Sequence, residues 1–335
     1  MKKNIAIISG WFGHGEVEEY SSVADNCADF ITELSLNLGE SFNVYTQRGT
    51  IKEKKNIIDI EIHLNVQIPI SKAKRICIYL EDISIRPQNI FLNSFNYNAV
   101  LTFDRDIAES HPSGYWILHP RTIPDIHYDF TKKRSRDFVL ISTNRNLLFD
   151  KKNSLYDIRQ ELISFFESNH HDALDLYGAW WNLPFTKSGL ISRVAFEINR
   201  KLKIGRKRKN KLKTWKGYID SKEQALLCHD FNICIENKLG INGYVSEKIY
   251  DSFVYGSIPI YIPSSPKNSD IIPEDLYINP KDFNGFEDMF KYCKSLNSNQ
   301  KYLWRMKMFE YIQSKKEQLS SKTFSGKVSK IIENI

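Results

Sequence analysis

Residues 230–262 read DFNICIENKLGINGYVSEKIYDSFVYGSIPIYI, and their pattern decides the fold class. Phe231–Ile235 is a short apolar run of the kind that forms a fully buried strand. Val245, Ile249 and Phe253 then recur at helical spacing, and a second buried strand follows at Ile258–Ile262. A strand, a crossover helix and a second strand make a βαβ unit, so the sheet is expected to be parallel. The first strand delivers Glu236 and Asn237 at its C-terminal end, which is where open α/β sheets bind ligands. A loop with Gly240 and Gly243 leads to Tyr244 and a helix start at Val245-Ser246-Glu247-Lys248. The unpaired N–H groups of that helix start, with the Lys248 ammonium beside them, suit a diphosphate; Asn237 and Glu236 suit ribose or sugar hydroxyls.

The same alternation extends in both directions. Upstream, strands are expected at Asn4–Ser9, Phe42–Thr46, Arg75–Leu80, Ala99–Phe103 and Tyr115–Leu118, with a helix over Ala24–Leu38 after the first. A polar stretch containing Pro120 and Pro124, His119–Asp137, reads as a linker. A second series opens at Phe138–Ser142, followed by a helix carrying Leu155, Ile158, Leu162 and Phe165 on one face, and a strand at Leu174–Tyr177. Helices around Phe286–Leu296 and Gln300–Gln318 close the chain. The 335 residues are therefore expected to form two α/β domains, 1–130 and 131–300, with a helical tail over 301–335.

The chain is 41% hydrophobic and 13% aromatic, which excludes a disordered or fibrous protein. Its +7 net charge is local. Ten Lys and Arg fall between Ile198 and Ile219 with no acidic residue among them; without those ten, 37 basic residues face 40 acidic ones and the balance is −3. Three readings of this run stay open: a solvated loop, a nucleic-acid contact with Trp215 and Tyr218 for stacking, and a membrane-surface contact. The apolar stripe ahead of it (Leu190, Ile191, Val194, Ala195, Ile198, Leu202) favours peripheral contact with anionic membrane through 188–216, and nucleic acid is not expected as a partner. Packing of that stripe against its own domain is the competing account. Five cysteines without a CxxC pair point to reduced thiols, and the eight histidines include neither HxH nor HExxH, so no metal site is expected. The apolar start Ile5–Ile8 is too short for a secretory signal, which places the expected location in the cytoplasm, peripheral at the cytoplasmic face of the inner membrane. Asp104-Arg105-Asp106 is a DxD triplet, a pattern too short to carry a metal–nucleotide clasp; Gly10, Gly13 and Gly15 do not fit GxGxxG spacing.

The segments FNICIEN (231–237), GYVSEK (243–248) and SIPIYI (257–262) stand in the order and spacing of the donor-binding signature of the α-1,3/1,4-fucosyltransferases, glycosyltransferase family 10. This chain resembles that family but carries Ile235 for the usual Phe and Ser246 for Thr, with Ile262-Pro263 departing in the following loop. FVLIS (138–142) and LDLYG (174–178) are similar to the family's preceding strands. The likeness runs from Trp11-Phe12-Gly13 to about Leu296.

The resemblance implies a GT-B fold: two Rossmann-like domains facing each other across a cleft, the N-terminal one binding acceptor and the C-terminal one binding a GDP-sugar, with C-terminal helices. It implies inverting transfer of L-fucose from GDP-L-fucose to a glycan hydroxyl, of α-1,3 type, in bacterial surface-polysaccharide or lipopolysaccharide synthesis, with no metal or other cofactor. Nucleotide-sugar donor and glycan acceptor are then the partners. Glu81, in the stretch Ile78-Tyr79-Leu80-Glu81-Asp82, matches the family's catalytic base, although Leu80 stands for Gly and Asp82 for Asn. Arg159 matches the arginine that contacts the donor diphosphate, and Lys248 joins it there. Asn237 and Glu247 match residues binding ribose or fucose hydroxyls, and Tyr244 packs against the donor. Transfer from a different GDP-deoxysugar is the rival within the class. A nucleic-acid-binding protein using 200–216, and a non-catalytic glycan-binding module, are the rivals outside it. Glu81 could equally be a solvated acidic residue beside Asp82, and Arg159 a surface arginine between Asp157 and Glu161.

Overall fold

The computed structural model describes residues 2–9, 27–126, 128–187, 189, 191, 192, 194, 195, 198 and 211–335. The loop expected after the first strand (Gly10, Trp11-Phe12-Gly13, Gly15), the helix start at Ala24, and the basic run from Arg200 to Lys209 with Leu190 and Leu202 lie outside the described residues.

Two compact units emerge, each built on one parallel sheet. The first comprises Met1–Thr122, Asn242–Tyr244 and Lys316–Ile335; the second comprises Ile123–Ile241 and Val245–Lys315. The expected boundary at 130/131 and the separate tail over 301–335 differ from this division. Ile123 and Phe130 are buried, and Arg134 donates to the carbonyls of His229 and Tyr255, so the stretch read as a linker is tied into the second unit. The chain's last helix gives its apolar face to the first unit's core.

Unit 1 carries β1 (Asn4–Ile8), α1 (Cys27–Gly39), β2 (Asn43–Tyr45), α2 (Arg48–Glu53), β3 (Ile60–Leu64), β4 (Lys74–Tyr79), β5 (Ala99–Thr102), α3 (Arg105–Ser110) and β6 (Gly114–Trp116). Its sheet order is β2-β1-β3-β4-β5-β6, parallel throughout. Ile5, Ile7, Ile62, Ile76 and Ile78 meet Leu34 and Leu38 of α1 in one core cluster. Phe324, Val328, Ile331 and Ile332, spaced for one helical face, join that cluster from the last helix.

The sequence patterning had no strand at β3. Its alternation Ile60-Glu61-Ile62-His63-Leu64 resembles a half-solvated edge, yet all five residues are buried. Hydrogen bonds satisfy both side chains: His63 Nε2 lies 2.9 Å from Glu61 Oε2, His63 Nδ1 lies 2.8 Å from Tyr97 Oη, and Ser71 N–H donates to Glu61 Oε1 at 2.5 Å. A paired and hydrogen-bonded charge can occupy a core position that an isolated one cannot.

Unit 2 carries β7 (Arg136–Ile141), α4 (Leu155–Asn169), β8 (Leu174–Tyr177), β9 (Trp215–Gly217), α5 (Lys222–Cys228), β10 (His229–Ile233), α6 (Glu247–Tyr255), β11 (Ile258–Ile260), α7 (Phe286–Ser295) and α8 (Ser298–Leu319), which runs into unit 1; α9 (Ser321–Asn334) then completes unit 1. The sheet order β11-β10-β7-β8-β9 is again parallel. Counted within the unit this is 5-4-1-2-3, the doubly wound Rossmann order, and it reverses direction between β7 and β10. Phe138 lies at the centre, 5.0 Å from the Phe166 ring and 5.1 Å from Phe231. Gly178, just past β8, has φ +125°, and a Cβ there would meet the Ser142 carbonyl oxygen at 1.9 Å. No helix among the described residues is long and apolar enough to cross a membrane.

Candidate functional site

The order reversal between β7 and β10 opens a crevice at the strands' C-terminal ends, and the signature's polar residues gather there. β10 ends at Ile233, and the chain continues buried through Cys234, Ile235 and Glu236. Arg159 approaches from α4. It is 3% exposed, so the surface-arginine account fails. Its Nη2 donates to the carbonyls of Ile235 at 2.7 Å and Glu236 at 3.2 Å, and reaches Asn237 Oδ1 at 3.5 Å. The guanidinium lies over the Tyr156 ring, 4.6 Å from its centroid. Tyr156 and Arg159, three apart on a helix, face the same way. Arg159 Nε is buried without a hydrogen-bond partner. Burial pulls the guanidinium below its ordinary value, and Tyr156 and Glu236 oppose that pull.

Across the crevice, α6 begins at Glu247 with Ser246 as its N-cap, the Ser246 Oγ accepting from Lys248 N–H. Glu247 sits in the first turn, where the helix dipole favours an acid. Lys248 Nζ donates to Ser246 Oγ at 3.1 Å and pairs with Glu236 Oε2 at 3.4 Å. Its side chain keeps 24% exposure, and the ammonium is anchored by these two contacts. Burial works to lower its proton affinity, but Glu236 and Glu247 outweigh burial and lift it above the ordinary lysine value.

Glu236 is fully buried. Its Oε1 accepts from Ser246 N–H at 2.8 Å and Tyr261 Oη at 3.0 Å; its Oε2 accepts from Ser246 Oγ at 2.8 Å and from Lys248. A carboxylate has about four lone-pair sites, and these donors fill them. Glu236 therefore has no capacity for the ribose or sugar hydroxyl that the sequence suggested for it. Asn237 is half-buried, and its carbonyl is held by Leu155 N–H.

Thus unit 2 brings Arg159, Asn237, Glu247 and Lys248 to one crevice. Tyr244 groups with unit 1 instead, packing into that unit's core with its ring 6.5 Å from Phe103. Gly243 beside it has φ +85°, and a Cβ there would meet the Arg105 and Trp116 side chains at 2.7 and 2.6 Å.

Glu81 lies in unit 1, two residues beyond β4. Asn65 Oδ1 accepts from the Leu80 and Glu81 N–H groups, and Asn89 donates to the Glu81 carbonyl at 2.5 Å, so the backbone is fixed. The side chain stays 32% exposed, and its Oε2 pairs with Arg86 Nε at 2.5 Å. The DxD triplet has another use: Asp104 caps α3, accepting from the N–H groups of Asp106 and Ile107. No cluster of three metal-ligating side chains occurs among the described residues. A cavity of about 570 Å³ lies on the outer face of α4, lined by Asp157, Gln160, Glu161, Lys151 and Lys187 among others; none of the sequence-derived site residues lines it.

Sequence patterning missed Tyr156, Tyr261 and the anchoring role of Glu236. The i, i+3 spacing of Tyr156 and Arg159 was a usable signal. Tyr261 had none, because its hydroxyl finds Glu236 only across two strands.

Residues 198–332 match a family model described as glycosyltransferase family 10 (fucosyltransferase), C-terminal. An α-(1,3)-fucosyltransferase of Helicobacter pylori is 37% identical over 84 residues, 25% of this chain and 17% of that one. The human 4-galactosyl-N-acetylglucosaminide 3-α-L-fucosyltransferase 9 is 33% identical over 72 residues, 21% of this chain and 20% of that one. The alignments thus span about a fifth of each curated relative's length. A crystal structure of an α1,3-fucosyltransferase with GDP superposes with TM-score 0.54 at 16% identity, covering 99% of this chain and 90% of that one. The T4 phage β-glucosyltransferase superposes with TM-score 0.53 at 10% identity, covering 99% of both. The family resemblance expected from the sequence is borne out over residues 198–332, and the expected GT-B fold is borne out in its two parallel-sheet, Rossmann-like units.

Proposed function

We propose that this chain, carrying a family 10 match over residues 198–332, is an inverting glycosyltransferase that moves L-fucose from GDP-L-fucose to a hydroxyl of a glycan acceptor. The observation that carries the reading is the Arg159–Asn237–Lys248 crevice at the switch point of a Rossmann sheet, coinciding with the segment that matches fucosyltransferases. Two cations and a helix N-terminus suit a nucleoside diphosphate.

On this reading the acceptor oxygen attacks the anomeric carbon, the bond from that carbon to the diphosphate oxygen breaks, and GDP departs with the bonding electrons. The acceptor proton passes to Glu81, whose Oε1 has no hydrogen-bond partner among the described residues while Arg86 holds Oε2. Arg159 and Lys248 balance the charge that develops on the leaving diphosphate, so the leaving group needs no acid. Asn237 and Glu247 take ribose or fucose hydroxyls, whereas Tyr244, packed into the core of unit 1, is given no donor contact. The chemistry assigned to these residues needs no metal.

The acceptor belongs to bacterial surface polysaccharide or lipopolysaccharide, joined in α-1,3 linkage, and the enzyme works at the cytoplasmic face of the inner membrane with 188–216 against anionic lipid. Support for this last part is the basic composition of that segment and the exposure of Ile191, Val194 and Ile198.

Calorimetric titration with GDP, GDP-L-fucose and UDP-glucose, with and without a chelator, tests the donor assignment. Binding of both GDP ligands unaffected by chelator is expected. Preference for UDP-glucose would overturn the donor class, and binding abolished by chelator would overturn the metal-free reading.

A further inference from the structure

Glu236 is the most heavily bonded side chain of the crevice, and neither the reaction nor the donor contacts use it. Its donors come from separate parts of unit 2: Ser246 and Lys248 at the start of α6, and Tyr261 immediately after β11. The segment from 237 to 245 that joins β10 to α6 is loop without helix or strand. The helix start is therefore not located by regular structure on its N-terminal side. The Glu236 carboxylate locates it, by taking the N-cap's N–H and hydroxyl together.

We propose that Glu236 is a positioning residue for the diphosphate-stabilising cation: it fixes the first turn of α6 and aims the Lys248 ammonium into the crevice without itself touching substrate. The proposal rests on the reading of Lys248 given under Proposed function. Saturation of the carboxylate by four donors excludes a substrate contact. The Lys248 ammonium is held at one end of this network, bonded to Ser246 Oγ as well as to the carboxylate.

Charge supplies a signature that a merely structural anchor would lack. Burial alone pushes Lys248 toward its neutral form, and the Glu236 carboxylate is the leading opposing influence. Replacing the carboxylate by a neutral amide lets burial win, so the ammonium loses its proton at lower pH. Activity that requires the ammonium then fails earlier on the alkaline side.

Glu236→Gln keeps the shape and an acceptor for Ser246 N–H. The expected result is a fall in kcat of about 100-fold near neutral pH, with an alkaline limb displaced to lower pH than in the wild type. Adding Lys248→Arg, whose guanidinium stays charged, is expected to abolish the displaced limb. A wild-type kcat and pH profile in Glu236→Gln would overturn the proposal, and so would a lost kcat with the limb unmoved. Should Glu236→Gln fail to fold, titration of the wild-type Lys248 side chain by carbon NMR, assigned with Lys248→Arg, decides the pairing. Titration above the ordinary lysine value is expected, and titration at or below it overturns the proposal. Wild-type turnover of GDP-L-fucose with no effect at Glu236 removes only this role. Absence of wild-type turnover removes the functional reading, while the titration still reports the pair.

Discussion

Two glutamates follow interior strands of the two sheets at nearly the same place, Glu81 two residues past β4 and Glu236 three past β10. In the sequence both are an acid followed by a polar residue, Glu81-Asp82 and Glu236-Asn237. The fold treats them oppositely. Among the described residues, Glu81 keeps 32% exposure and one ionic partner on one oxygen, whereas Glu236 is sealed and accepts from four donors. An acid that must gain and lose a proton needs an open lone pair; an acid that must hold a helix in place needs all of its lone pairs engaged. Position at a strand's end makes a carboxylate eligible for function, and the donors around it decide which function.

The largest expected effect sits at the open carboxylate. Glu81→Gln is expected to lower kcat by about 10²- to 10⁴-fold with GDP affinity unchanged, measured by steady-state kinetics and calorimetry. Retained kcat would mean that Glu81 is solvated surface and that the contrast between the two acids is empty. Next, Lys248→Ala, which removes the cation Glu236 anchors, is expected to cost about 100-fold in rate together with weaker GDP binding. Wild-type GDP binding in that variant would separate Lys248 from the diphosphate.

A smaller effect sharpens the comparison through pH. Each unit holds a buried acid–histidine pair, Glu61 with His63 and Asp175 with His229 at 3.1 Å. Burial works to raise both acids, and hydrogen bonds from His63 and Ser71 on Glu61, and from His229 with the Arg136 charge on Asp175, more than offset it; both lie below the ordinary carboxylate value. A depressed folded value means that the unfolded chain takes up protons first. The stability these acids contribute is therefore complete above about pH 4 and lost as pH falls through their folded values. His63, held below its ordinary value by burial, adds a loss that begins near about pH 6.5 as the unfolded histidine protonates. Acid unfolding followed by circular dichroism should lose part of its steepness in Glu61→Gln and in Asp175→Asn; an unchanged curve in both would discard the account. The smallest effect is Ser246→Ala, an N-cap loss of about 1 kcal/mol in denaturant unfolding.

Much of unit 2 was legible because its strands are buried on both faces and bounded by turn residues: Leu174–Tyr177 matches β8 residue for residue, and Leu155 and Leu162 mark the buried face of α4. The crevice residues were legible through the spacing of FNICIEN, GYVSEK and SIPIYI. What stayed hidden depends on partners distant in sequence. β3 carries Glu61 and His63 in a core position that only their mutual pairing permits. The last helix reads as a polar tail until Phe324, Val328 and Ile331 find a sheet formed some 250 residues earlier. Glu236 and Asn237 look interchangeable as hydroxyl binders until Ser246 and Tyr261 are seen to claim the first.

The central claim is transfer from a GDP-sugar, and a mass-spectrometric donor screen tests it most directly, following GDP release and acceptor mass with GDP-L-fucose and other nucleotide sugars. The account predicts GDP release from GDP-L-fucose together with an acceptor mass gain of one deoxyhexosyl unit. No GDP release from any GDP-sugar would contradict it.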